Sequence, residues 1–268
     1  MQVNTCMSSH EAVAWRRYNG TMGTGDRAAR RCLDCAGELL VGQSFCGHCG
    51  QRTDLARLTL HEVGHEFVHA LVHADRSALS LLLSLLLRPG VVAREYVAGK
   101  RRRHFGPFSS LVVLIGATTL LSELVGFESI TSSRALNGVQ DFLNGHVNLI
   151  VFAQIPLLTF LCSLLFRRDR FDFVEHMVLV AYTSGLRAML FALIVLPLWY
   201  FLHPDMNLVG ESFWALWSFY FGIAAAQFYS GNRFLSWLKG ALAAFVIYPA
   251  TGLLINAIAA GFQYLRGL

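Results

Sequence analysis

The sequence predicts an all-α integral membrane protein of about five transmembrane helices, preceded by a small cysteine-rich module and by juxtamembrane amphipathic helices. Three observations predict this class. The chain of 268 residues is 54% hydrophobic and only 15% charged, against about 25% charged in a soluble globular domain. Five apolar runs long enough to cross a bilayer follow Pro107. Ahead of them, Arg88–Pro107 (RPGVVAREYVAGKRRRHFGP) marks the passage from a polar region rich in histidine and cysteine into the membrane part. The net charge of +5 raises nucleic acid as a partner. Its basic residues flank apolar runs rather than solvent-facing aromatics, which argues against that partner.

The first twenty residues contain no apolar core of the 7 to 15 residues that a secretory signal needs, so the N-terminus is expected to stay in the cytoplasm. Residues 1–31 show no periodicity and are expected to be poorly ordered; Met22 serves as well as Met1 for a start. Residues 32–51 carry Cys32 and Cys35, then Cys46 and Cys49, two CxxC pairs ten residues apart. Zinc takes four thiolates in a tetrahedron, and two CxxC turns supply two each. The spacing is that of a short structural zinc ribbon, with Gly37 and Gly50 expected to provide positive φ where the chain turns back. Two disulfides are the alternative, and a reducing cytoplasm disfavours them. His48 is expected to be exposed and not a ligand; Cys6 and Cys162 are expected to be free thiols.

Residues 59–106 read as juxtamembrane helices and a basic segment. Thr59 with Glu62 forms a capping-box pattern, and Pro89-Gly90 is a stop signal. His61, His65, His69 and His73 recur every four residues and so form one stripe on a helix. His61-Glu62-Val63-Gly64-His65 matches HExxH, in which two histidines bind zinc and the glutamate activates water. The longer metalloprotease pattern fails, with Val68 in place of glycine and Leu71 in place of a third histidine. A solvated or membrane-facing stripe is therefore preferred to a zinc hydrolase, and no enzymatic activity is expected. Leu79–Leu87 is too short to span and is expected to lie on the inner surface, followed by a short amphipathic element over Val91–Gly99. Lys100, Arg101, Arg102 and Arg103 then meet the bilayer edge, where each basic residue gains about 1 kcal/mol from anionic headgroups or simply fixes topology.

The bundle, 107–268, is expected to contain spans at Pro107–Phe127, Val147–Phe166, Met177–Leu202, Ser212–Tyr229 and Leu238–Phe262. Lys100, Arg101, Arg102, Arg103, Arg167, Arg168, Arg170, Arg233 and Lys239 fall on one side of these spans, and Arg134 and Arg266 on the other. By the positive-inside rule the cysteine module is cytoplasmic and the C-terminus outside. Trp199, Tyr200, Trp214, Trp217 and Tyr264 fit interfacial positions. Within the spans, Glu123, Gln154, Arg187 and Asn256 are polar. They read as interhelical hydrogen-bonding groups or as a polar pathway, with an Arg187–Glu123 contact within reach. Pro156, Pro197 and Pro249 are candidate kinks. No inverted repeat supports a transporter.

CLDC and FCGHCGQ, a histidine-bearing helix reaching HADR, and RPGVVAREYVAGKRRRHFGPF before the first span together resemble a bacterial membrane-protein family described only as a domain of unknown function, number 3667. The resemblance covers about Cys32–Phe108, with Arg88-Pro89-Gly90, Glu95-Tyr96 and Gly99-Lys100-Arg101 as its signature. It implies a bacterial inner-membrane location and no established activity. The combined expectation is a membrane-anchored zinc-ribbon protein that serves as a binding or regulatory module, with a cytoplasmic protein and anionic lipid as partners. A small-solute transporter or channel, and a zinc hydrolase using His61, Glu62 and His65, are the alternatives.

Overall fold

Two CxxC turns with few apolar residues between them have little to bury, so the N-terminal module folds around its own sulfurs. Strand β1 (Arg30–Arg31) pairs antiparallel with β2 (Glu38–Leu39), Arg30 opposite Leu39 and Arg31 opposite Glu38. A single bridge joins Phe45 to Arg52. Cys32, Leu39 and Cys46 form the buried centre, with Cys35 and Cys49 packed against it. The computed structural model describes residues 30–40, 42–53, 77–101, 104–127 and 147–266. His61, Glu62, His65, His69 and His73, together with Arg102 and Arg103, lie outside the described residues.

Helix α1 (Ser77–Leu87) stops where Arg88 leaves the helical region at φ −143° and ψ 57°, and Pro89 at the first position of α2 (Pro89–Val97) restarts the chain at once. Pro-Gly thus ends one helix and opens the next. The apolar face of α2, with Val92, Ala93, Tyr96 and Val97, is buried. It packs on protein, against two bundle helices, where the sequence suggested a helix resting on the membrane surface. Leu85 of α1 is buried in the same core.

The bundle follows as α3 (Pro107–Val125), α4 (Val147–Leu165), a 3-10 turn (Arg167–Asp169), α5 (Phe173–Leu190), a π turn (Phe191–Val195), α6 (Leu196–Leu202), α7 (Met206–Phe228) and α8 (Arg233–Arg266). Capping sets several ends. Asp172 and Glu175 form a capping box that starts α5 four residues before the hydropathy boundary at Met177. Asp205 caps α7 through Asn207 N, and Gly126 at φ 70° closes α3. Pro197 has no N–H for the preceding turn, and the π turn lies just before it. Pro156 and Pro249 sit inside continuous helices.

Among the described residues three helical stretches are long and apolar enough to cross a membrane: Pro107–Val125, Phe173–Leu202 and Arg233–Leu254. The expected second span is represented by the shorter apolar stretch Phe152–Leu165. Helix α7 interleaves its apolar residues with Gly, Ser, Trp and Tyr, which lowers its hydropathy. Helix α5 is central, contacting α1, α2, α3, α4 and α7, while α8 lies along α7 and α4. The α7–α8 seam is built from small residues. A Cβ on Gly240 would stand 2.4 Å from the Cβ of Ala225, and one on Gly222 would stand 2.7 Å from Trp237 O. Such close approach is how helices gain dispersion energy where lipid provides no hydrophobic drive.

Candidate metal centre and its docking to the bundle

Each CxxC turn folds by the same rule. In the first, Cys32 N donates to Gly37 O at 2.8 Å and Ala36 N to Cys32 O at 2.9 Å; in the second, Cys46 N donates to Gln51 O and Gly50 N to Cys46 O, both at 2.8 Å. The residue after the second cysteine takes positive φ in both, Ala36 at 58° and Gly50 at 72°. The expectation for Gly50 holds. In the first turn the left-handed position falls on Ala36 rather than Gly37, because the geometry counts from Cys35.

These turns bring four sulfurs together. The Sγ atoms of Cys32, Cys35, Cys46 and Cys49 all lie within 4.8 Å of one another, with Cys32–Cys49 at 3.5 Å and Cys35–Cys46 at 3.6 Å. A tetrahedral zinc with 2.3 Å bonds needs sulfurs about 3.8 Å apart. Backbone N–H groups of Cys49 and His48 point at Cys46 and bring its thiol down to about 6, favouring the thiolate that a metal needs. Gly37 N–H and Gln51 N–H point likewise at Cys35 and Cys49. Burial pushes the Cys49 thiol up. The donor set, spacing and N–H···S pattern fit a closed four-thiolate metal site. Metal bound there would serve as a structural crosslink, since four cysteines leave no open coordination position. His48 is exposed, as expected.

The residue that follows this site ties it to the membrane part. Gln51 is 4% exposed, and its Nε2 donates to Gly99 O at 2.7 Å. Gly99 adopts φ 96°, a turn that Cβ-bearing residues resist. Next to it, Glu95 accepts from His104 Nε2 at 2.9 Å and from Lys100 Nζ at 3.4 Å. The His104 hydrogen bond, reinforced by the Lys100 charge, holds the Glu95 carboxyl down at about 2 despite partial burial. Arg101 lies 5.9 Å from the Tyr96 ring centroid. Of the expected basic cluster, Lys100 and Arg101 are therefore already engaged with α2. Tyr96 packs edge-on against Tyr182 of α5 at 5.9 Å. Gly90 admits the α7 backbone: a Cβ there would meet Ala224 O at 2.0 Å.

Gly90, Glu95, Tyr96, Gly99, Lys100 and Arg101 thus each make a contact in one structural corner. Residues 81–118 match the DUF3667 family model. The family is described as a protein of unknown function. The matched DUF3667 segment covers the last seven residues of α1, then α2, its loop and the first part of α3, while Cys32–Gln51 lies outside the match. No curated protein and no solved structure matches the chain.

The intramembrane polar residues separate. Arg187 Nη2 donates to Gln154 Oε1 at 2.9 Å, where a contact with Glu123 had been within reach by depth alone. Glu123 is exposed in the last turn of α3. The backbone of Asn256 is in α8, and its side chain lies outside the described residues. Trp217, expected at the interface, is 5% exposed and lies under Arg187 with its ring centroid 4.6 Å from the guanidinium carbon. The sequence reading also missed a buried cluster. His176 Nδ1 and Tyr229 OH are 2.7 Å apart, Tyr229 is hydrogen-bonded to Cys162 and stacks on Phe166 at 3.6 Å. The only signal for it was polar residues recurring at the ends of apolar runs. Cys162 is a free thiol, as expected.

Proposed function

We propose that this chain is a membrane-anchored zinc-ribbon protein, a binding or regulatory module at the cytoplasmic face of the bacterial inner membrane rather than an enzyme. The observation that carries the reading is the four-cysteine cluster held to the helical bundle by Gln51 and Gly99. A closed metal site favours a structural role over catalysis. Leu40 and Phe45 stand 73% and 59% exposed on the ribbon, giving a cytoplasmic protein partner apolar surface to bind.

In this reading α3, α4, α5 with α6, α7 and α8 are five crossings. The basic residues before α3, between α4 and α5, and at the start of α8 then lie inside and the C-terminus outside. Lys100 and Arg101, next to the loop that leads into α3, are the described basic residues that this reading offers to anionic headgroups. Metal analysis of the purified protein tests the centre. About one zinc per chain, lost in Cys46→Ser and kept in His61→Ala, is expected for a closed four-thiolate site. A second metal lost in His61→Ala would replace this reading with the hydrolase. Photocrosslinking from position 45 in cells tests the module: a defined cytoplasmic adduct that disappears with Cys46→Ser is expected, and labelling indifferent to that substitution opposes it.

A further inference from the structure

Arg187 stands within the 30-residue helical stretch Phe173–Leu202, roughly 21 Å along the axis from its start. One of its N–H groups reaches the Gln154 carbonyl, and the guanidinium lies over the Trp217 ring. These contacts relieve part of the cost of removing the cation from water. Neither brings a negative charge, and among the described residues no carboxylate pairs with it. Tyr248 is the ionisable neighbour within electrostatic reach.

Arg187 itself is half-buried, and the donors beside it include one with no partner. Trp217 Nε1 is buried without a hydrogen-bond partner among the described residues, as is Trp214 Nε1 one turn away. Gln154, 7% exposed, accepts from Arg187 on its carbonyl and carries two amide N–H donors besides. Arginine presents five N–H donors and no acceptor, and an indole one donor. Buried donors in a folded protein are satisfied as a rule, and a group that accepts without donating satisfies several together. A cation without a counter-charge asks for the same group.

We propose that Arg187, Gln154 and Trp217 form an anion-binding site inside the bundle that takes a carboxylate- or phosphate-type oxyanion. The guanidinium holds the anion by paired N–H groups and the Trp217 indole adds a donor. The same chemistry arises from a small soluble anion or from a lipid headgroup. The site is independent of the ribbon, so Cys46→Ser leaves it intact and failure of one reading does not touch the other.

The test uses the full chain in detergent and in lipid discs, with thermal unfolding and tryptophan fluorescence as readouts. Acetate and inorganic phosphate are titrated at constant ionic strength set with chloride. Separately, phosphatidylcholine discs are compared with discs containing phosphatidylglycerol. Saturable stabilisation by acetate or phosphate assigns a soluble anion; stabilisation confined to phosphatidylglycerol discs assigns a headgroup. Arg187→Gln abolishes either response. Trp217→Phe keeps the ring under the guanidinium and removes only its N–H, so it weakens apparent affinity about fivefold while leaving the anion-free protein folded. A wild-type chain indifferent to every anion and to the lipid, a response that survives in Arg187→Gln, or affinity unchanged in Trp217→Phe overturns the proposal.

Discussion

Gly90→Ala probes the contact on which the corner between α2 and the bundle depends. The added methyl would lie 2.0 Å from Ala224 O, 2.6 Å from the Gln227 Cβ and 2.8 Å from Phe228 N. Two of these atoms are backbone of α7 and the third is fixed to it, so none retreats by a change of rotamer. Helix α2 must move by about 1 Å or more to regain ordinary contact, which also stretches the Gly90 N to Gln227 Oε1 hydrogen bond of 3.1 Å. Overpacking of this kind costs about 1–3 kcal/mol. Against it stands the helix preference of alanine over glycine, at most about 1 kcal/mol and smaller in a first turn. The net is a loss of about 1–2 kcal/mol, or a fall of roughly 3–6 °C in the midpoint for a chain of this size. The assay is near-UV circular dichroism of the detergent-solubilised protein at one fixed scan rate, since membrane-protein melts are commonly irreversible. Gly116→Ala is the control: it lies in α3 with nothing within 4 Å of its added methyl and should be neutral or slightly stabilising. If Gly90→Ala melts no lower than Gly116→Ala, the apposition of α2 and α7 is wrong.

Three further outcomes are expected. Ala36→Gly relieves a left-handed residue at φ 58°, a strain of about 1–2 kcal/mol partly offset by about 0.4–1 kcal/mol of unfolded-chain entropy, so competition with a chelator should show zinc held a few-fold more tightly. Zinc chelation should collapse the amide dispersion of Cys32–Gln51 in NMR spectra while the helical circular dichroism persists, because metal binding and folding are one event in so small a ribbon. Glu95→Gln should destabilise the neutral-pH protein by about 1 kcal/mol, discounted because the pair is partly solvated. A carboxyl depressed from 4.5 to about 2 contributes fully above the unfolded value and loses that contribution as pH falls through the folded one. The gap in melting temperature between wild type and Glu95→Gln should therefore shrink as pH drops from about 4.5 towards 2; a gap constant with pH would assign Glu95 a packing role only.

What could be read from the chain divides along physical lines. Hydropathy placed α3 and α4 almost to the residue, because apolar length is a one-dimensional quantity. It set the starts of α5 and α7 too late, at Met177 and Ser212, since Asp172 and Asp205 determine those ends by capping and not by hydrophobicity. Cysteine spacing announced the four-sulfur cluster, as two short turns leave the sulfurs little choice of place. The sequence left the partner of Arg187 open, because position along a helix gives depth but not rotation about the axis; Glu123 sits on an exposed face, and Gln154 is the residue that accepts from Arg187. Pro89-Gly90 was read as punctuation. Half of its meaning is a close approach to α7, residues 224–228, far away in the chain.

The Gln51 to Gly99 hydrogen bond makes the ribbon and the entrance to α3 partners in a thermodynamic cycle. Metal bound to the cysteine turns would share free energy, through that amide, with the loop before α3. By reciprocity, whatever coupling passes through the bond acts equally in both directions, so a change that breaks the loop's turn would loosen the metal by that same coupling free energy. Metal affinity would then also report on the conformation of the loop that leads into α3.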